Sequence, residues 1–135
     1  MAYLSKISNY KDLGLLVGRI GLGGIMMFHG IPKLLGGIST WQKVGGVMHN
    51  FGISFLPTFW GFMASFSEGI GGLLIVLGLL FRPAAILIML TLNIAVINHF
   101  SSGDGWMGAS HAIETGLAFF LLLFVGPGKY SVDNK

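Results

Sequence analysis

A few ionisable side chains sit among long apolar runs in this 135-residue sequence: Arg19, His29, Glu68, His99, His111 and Glu114, with Lys33 at a boundary and Asn93 and Asn98 as uncharged polar companions. A charge in such surroundings costs several kcal/mol unless it is paired or used, so these residues carry the chemistry. Glu68 is the most informative. It is the one charge in its stretch and shares a helical face with Gly61, Ala64, Ser65 and Gly72. Three readings stand beside one another: an ion pair that fixes helix register, with Arg19 as the expected partner; a carboxylate that handles protons or binds a substrate; and a neutral, lipid-facing acid. His29 lies on the sector of Arg19, and Lys33 extends that sector if the helix runs past Pro32. His111 and Glu114 are three apart and share a face. Imidazole titrates near neutrality, which suits hydrogen-bonding a redox ring and moving its protons. A metal or haem site is a second reading, although no H-x-x-x-H or C-x-x-C-H spacing supports it. Helix-end histidines that meet lipid headgroups and cap carbonyls are the third.

The elements that must hold these residues follow from composition. Apolar residues make up 53% of the chain and charged ones 10%, where a soluble domain shows about 25%. So few charges cannot clothe a soluble domain of this size, and they rule out a disordered chain as well. The net charge of +3 comes from scattered lysines and arginines with no basic patch, so no nucleic-acid partner is expected. The absence of cysteine excludes disulfides, thiol catalysis and thiolate-held clusters. Four apolar stretches, at about 13–31, 58–81, 83–100 and 110–125, are long enough to cross a bilayer as helices. Pro32, Pro57, Arg82-Pro83, Ser101-Ser102-Gly103-Asp104-Gly105 and Gly126-Pro127-Gly128 mark their limits. The first stretch contains Arg19 and lacks a small-residue cleavage site, so it reads as a retained span. The expected fold is all-α: a single four-helix transmembrane bundle.

Residues 39–57 are too long for a plain turn. Trp41, Val44, Val47, Met48 and Phe51 form one arc of a helical wheel, and Gln42, Lys43, His49 and Asn50 the other. This is a short amphipathic helix that either lies in the membrane interface or packs on its own bundle. Gly14, Gly18 and Gly21 on the first span, and Gly61, Ala64, Ser65 and Gly72 on the second, form small-residue faces expected to bring helices together. Ile86 to Leu92 and Phe119 to Phe124 supply lipid-facing surface. Lys6, Lys11, Arg82, Lys129 and Lys135 fall on the side of the termini, against Lys33 and Lys43 opposite, so both termini are expected in the cytoplasm of a bacterial inner membrane. That orientation gathers all four histidines in the outer half. No P-loop, G-x-S-x-G or dinucleotide fingerprint is present, and Gly21-Leu22-Gly23-Gly24 lies inside a span.

Two motif blocks resemble the DoxX family of small bacterial membrane proteins. One is Arg19 followed by Phe28-His29-Gly30-Ile31-Pro32-Lys33-Leu34. The other is Glu68-Gly69-Ile70-Gly71-Gly72 followed by Leu77-Gly78-Leu79-Leu80-Phe81-Arg82-Pro83, and the closing Gly126-Pro127-Gly128-Lys129-Tyr130-Ser131 matches too. The resemblance covers roughly residues 12–133. It implies a four-helix membrane bundle and, as the best-known activity, a subunit of a thiosulfate:quinone oxidoreductase. More distant eukaryotic relatives act as cargo receptors or assembly chaperones. The residues it carries over are Arg19, His29, Pro32, Lys33, Glu68 and Arg82. The leading expectation is a quinone-binding subunit served by a separate redox partner chain, as a homo-oligomer or hetero-complex. Glu68, His29, His111 and Glu114 would move protons, while Arg19, Lys33, Asn93, Asn98 and His99 would bind the quinone. A non-enzymatic scaffold that docks its partner through residues 39–57 is the alternative, and a small-solute transporter the third reading.

Overall fold

The computed structural model describes residues 2–134, so Lys135, counted above among the basic residues, lies outside the described residues. The helices are α1 (Ala2–Ser5), α2 (Lys11–Leu35), α3 (Gly37–Gly45), α4 (Pro57–Leu77), α5 (Phe81–Ser101) and α6 (Gly105–Val125). Short 3-10 turns occupy Lys6–Tyr10, Gly46–Phe51 and Val132–Asn134. Among the described residues there is no strand. The four long helices have 25, 21, 21 and 21 residues. At 1.5 Å per residue the shorter ones reach about 32 Å, enough for a hydrocarbon core of about 30 Å.

Several limits differ from those expected. Pro32 does not end the first span, because α2 runs on to Leu35 with the proline inside it. The ring removes only the bond to the Phe28 carbonyl and keeps a helical φ, a defect that membrane helices tolerate. The real break is the Gly36–Gly37 pair, where Gly37 adopts φ +78°. Arg82-Pro83 is not the turn between the second and third spans. The turn is Gly78-Leu79-Leu80, and the proline sits in the first turn of α5, where its missing N–H costs nothing. Gly78 at φ +69° donates to the Ile75 carbonyl, and Leu79 donates to the Leu74 carbonyl at 3.0 Å, a glycine-dependent stop for α4. The last span begins at Gly105, one and a half turns before Ser110.

Helix α2 packs along α4, α4 along α5, and α5 along α6. Helices α2 and α6 are not packed backbone to backbone, which leaves room between them. The α2–α4 seam is built on glycine, but not on the expected ones. A β-carbon at Gly23 would stand 2.6 Å from the Gly72 carbonyl oxygen, and one at Gly30 would collide with the Gly69 and Glu68 backbone. Gly14, Gly18 and Gly21 have open space instead, so their GxxxG face is turned outward. Chain reversal at Gly36–Gly37 then sends α3 along the first turns of α4. Gly45 packs on Pro57 and Gly61, and the Trp41 ring lies 5.1 Å from that of Phe62. The amphipathic segment therefore packs on its own bundle, with Gln42, Lys43, His49 and Asn50 exposed. The runs read as lipid-facing are split by helical periodicity: Ile88, Phe119 and Leu122 are core, while Ile86, Phe120 and Phe124 face out.

The last residues are a clamp rather than a free polar tail. Both carboxylate oxygens of Asp133 accept from the backbone N–H groups of Leu80 and Phe81, at 2.9 and 2.8 Å, capping α5 from outside its own sequence. The Asp133 N–H donates to the Gly78 carbonyl at 2.9 Å, and the Lys129 N–H donates to Asp12 at 3.0 Å. These bonds close the end of the bundle that carries both termini.

Candidate functional site

The close approach of Gly30 to Gly69 sets the register that matters. One turn further along α2, Lys33 comes over Glu68, and its ammonium donates to the Glu68 carboxylate at 2.8 Å. The Glu68 side chain is 10% exposed and that of Lys33 38%. Glu68 is eleven residues from the start of α4, so the pair lies about 17 Å deep, halfway through the bundle. The Trp41 indole N–H donates to the Lys33 carbonyl at 3.2 Å, tying α3 to the end of α2. Ser65 and Ser67 return their hydroxyls to the Gly61 and Met63 carbonyls, so neither competes for Glu68.

Arg19 is not the partner of Glu68. It lies fourteen residues before Lys33 on one helix, about 21 Å away along the axis, too far for a guanidinium to reach. It is wholly buried at the opposite end, where it donates to the Tyr130 carbonyl and packs against Gly78. A side chain at Gly78 would collide with its Nη1. Its Nε and Nη1 have no hydrogen-bond partner among the described residues.

Around the ion pair the structure gathers three of the four histidines. The rings of His29 and His111 stand 5.9 Å apart, bridging α2 and α6. His99 lies 2.8 Å from Asp104 through Nδ1. A carboxylate acceptor places the hydrogen on Nδ1 and leaves Nε2 as the ring's other polar atom. His29, His99 and His111, with Lys33 and Glu68, line a cavity of about 340 Å³ floored by Met26 and Leu92. A second cavity of about 460 Å³ shares Lys33, Glu68 and Ala95 and adds Lys43, Val47 and Asn98. The ion pair is thus the partition between two chambers. Asn98 also accepts from the Asn50 amide at 3.2 Å.

The remaining candidates lie elsewhere. Glu114 is exposed and lines neither chamber, while His111, also exposed, stands at the edge of the first. Asn93 is exposed beside a separate cleft between α5 and α6. His49 is exposed on α3's continuation. Lys43 and Asp104 were missed as site residues. Lys43 borders the apolar arc of α3, and Asp104 sits five residues from His99 across a glycine turn. Among the described residues no three His, Asp or Glu side chains converge as a metal-binding group.

The arrangement offers an ammonium, a carboxylate and imidazoles around an open cavity of about 340 Å³, within the roughly 300–1,000 Å³ range of small-molecule sites. It can donate hydrogen bonds to the polar atoms of a ligand and exchange protons with them.

A four-span integral membrane bundle with an ion pair at its centre is the class these features define. The family model described as DoxX matches residues 14–100, and the chain belongs to the DoxX family. That stretch contains Arg19, His29, Lys33, Glu68 and His99, while His111 and the C-terminal clamp lie beyond it. Among curated proteins, the chain is 33% identical over 140 residues to the "Inner membrane protein YphA" of Escherichia coli (strain K12), covering 93% of this chain and 96% of that one. It is 31% identical over 130 residues to the "Uncharacterized membrane protein Rv3486" of Mycobacterium tuberculosis, covering 87% and 77%. Over 86 residues it is 34% identical to the "Putative oxidoreductase CatD" of Bacillus subtilis, covering 64% and 59%. No solved structure matches.

Proposed function

We propose that the protein is a quinone-interacting subunit of a membrane redox system, with the Lys33–Glu68 pair at the heart of its binding site. One observation carries the reading: an ion pair at mid-depth, its carboxylate buried and its lysine partly exposed, forms the wall of an open cavity whose other polar side chains are three imidazoles. Buried charges in a membrane bundle mark functional positions by default. The resemblance to a putative oxidoreductase lends it weaker support. The donor set suits a quinone, which when bound accepts two electrons and two protons. Lys33 donates to one ring oxygen and stabilises negative charge there. Glu68 holds Lys33 in place and passes it protons to replace those the ring takes up on reduction. His29, His99 and His111 lead from the chamber toward the far end of the bundle, giving protons a path of titratable groups. Electrons come from a separate donor, in the reading the family suggests an oxidisable sulfur anion such as thiosulfate. The chain itself contributes binding, orientation and proton transfer. With the termini cytoplasmic, the histidine end faces outward.

The test is direct. Purified in mild detergent from a quinone-containing membrane, the wild type retains close to one quinone per chain on solvent extraction, and Glu68→Gln and Lys33→Gln lose it. If the wild type carries none and an added quinone does not bind, the reading fails. A non-enzymatic scaffold is the second reading, and the role of Arg19 favours it: a buried cation of the motif serves the C-terminal clamp, so the motif's charges need not serve a ligand. One abundant partner that is destabilised when this protein is deleted would decide for the scaffold.

A further inference from the structure

A third cavity lies beyond the two chambers. It holds about 240 Å³ between α4 and α5, beneath α3, and is lined by Met48, Trp60, Met63, Ser67, Leu87 and Leu90 among others. It adjoins the second chamber, since Val44, Val47, Ala64, Thr91 and Ile94 border both. Its two hydroxyls are already used. Ser67 donates to the Met63 carbonyl at 2.7 Å and Thr91 to the Leu87 carbonyl at 3.0 Å. The space therefore offers a ligand methyl and methylene surface and no free donor. Its rim includes Phe59 and Leu90, both about half exposed on the side of the bundle that faces lipid. Polarity thus falls along one path: imidazoles first, the ion pair next, then hydrocarbon, then the bilayer.

We infer that this groove holds the hydrocarbon tail of the ligand whose ring sits at Lys33–Glu68, and that the ligand enters sideways from the lipid between α4 and α5. The inference rests on the quinone reading and narrows it to quinones with isoprenoid or alkyl tails. A water-soluble ligand would have no use for the apolar arm. A phospholipid acyl chain has the same chemistry as the tail, and its phosphate would meet Lys33 and Lys43 at the second chamber, so the experiment carries a lipid arm to separate the two. Helix α3 is the roof of the path through Val44 and Val47, which explains why an amphipathic segment is folded back onto α4 instead of lying free on the membrane.

The experiment compares two ligands of one ring, a methoxylated benzoquinone without a tail and the same ring carrying a decyl tail. Binding to the purified full-length protein is measured by equilibrium dialysis at fixed detergent, corrected for partition into empty micelles. The wild type is expected to bind the tailed ligand about tenfold more tightly, a tail–groove contribution of about 1.4 kcal/mol. Ser67→Leu and Leu87→Phe fill the groove from α4 and from α5 without touching the ion pair. Each is expected to remove most of that advantage and leave the tailless affinity within about twofold. Two substitutions on different helices guard against one that fails to fold, and a melting curve identifies such a case. If the tailless ring binds but the tail adds nothing, or if both filled variants keep the advantage, the groove assignment is overturned and the polar site stands. If added phosphatidylglycerol abolishes the advantage while the tailless ring still binds, the groove belongs to lipid and the assignment is likewise overturned. If neither ligand binds the wild type, the quinone reading itself falls.

Discussion

The Lys33 ammonium and the Glu68 carboxylate meet at 2.8 Å across the α2–α4 seam, in the wall shared by two chambers. Their meeting depends on backbone contact one turn away, where Gly30 rests on Gly69. Binding, register and stability are therefore coupled at one place, and the coupling can be measured.

Removing one partner leaves the other unpaired in an apolar setting. Lys33→Ala is expected to destabilise the protein by about 1–3 kcal/mol, less than the roughly 3–5 kcal/mol of a fully buried pair because the lysine is partly exposed. Replacing both residues with methionine should recover most of that loss while abolishing quinone retention. Thermal melts in detergent for the two single and the double variants give the interaction energy directly. Additive effects would mean that the pair contributes nothing to the fold.

The two classes of glycine on α2 separate cleanly. Gly30→Leu must push α2 off α4 and is expected to cost more than about 3 kcal/mol or prevent folding. Gly14→Leu meets open space and should change stability by no more than about 0.5 kcal/mol. Yield and melting temperature of the purified variants check both. Equal sensitivity at the two sites would show that a partner covers the Gly14 face.

Arg19 serves the clamp, where it is wholly buried and donates to the Tyr130 carbonyl. Arg19→Ala should release the segment around Tyr130 and expose the bond after Lys129 to trypsin, with quinone content unchanged. Limited proteolysis followed by mass measurement reports the first effect, and solvent extraction the second. Loss of quinone with an intact tail would place Arg19 in the binding path after all.

Asp133 caps α5 through two backbone N–H groups. Asp133→Ala is expected to cost about 0.5–2 kcal/mol, as loss of a helix cap does. Hydrogen exchange at Leu80 and Phe81 should rise ahead of the rest of α5. Unchanged protection there would mean that the cap is not formed in the membrane.

Much of this architecture was legible along the chain. Apolar runs of bilayer length can only be helices, since an unpaired backbone has no solvent in hydrocarbon. That argument yields the four spans, the inward face of Gly61, Ser65 and Glu68, and the grouping of the histidines at one end. It also asks that Glu68 either pair with a cation or stay neutral. It does not say which cation, because Arg19 and Lys33 lie on nearly the same sector of one helix and differ only in depth. The usual rule for proline ends the helix before Lys33, so Arg19 is the partner that local spacing favours. Only the antiparallel register of α2 on α4, set by Gly30 against Gly69, decides that Lys33 stands level with Glu68 and Arg19 does not.

The same division holds elsewhere. Helical period alone brings His111 and Glu114 to one face; in the bundle both side chains are exposed, and only His111 borders the cavity. Composition marks residues after Gly128 as polar, but their bonds to Leu80, Phe81 and Asp12 join positions 52 or more residues apart. The sequence by itself determined which segments cross the membrane and which charges need partners, since both follow from local hydropathy and spacing. The tertiary structure decided the partners and the chambers between them, because depth and rotation of one helix against another arise from packing across the whole bundle.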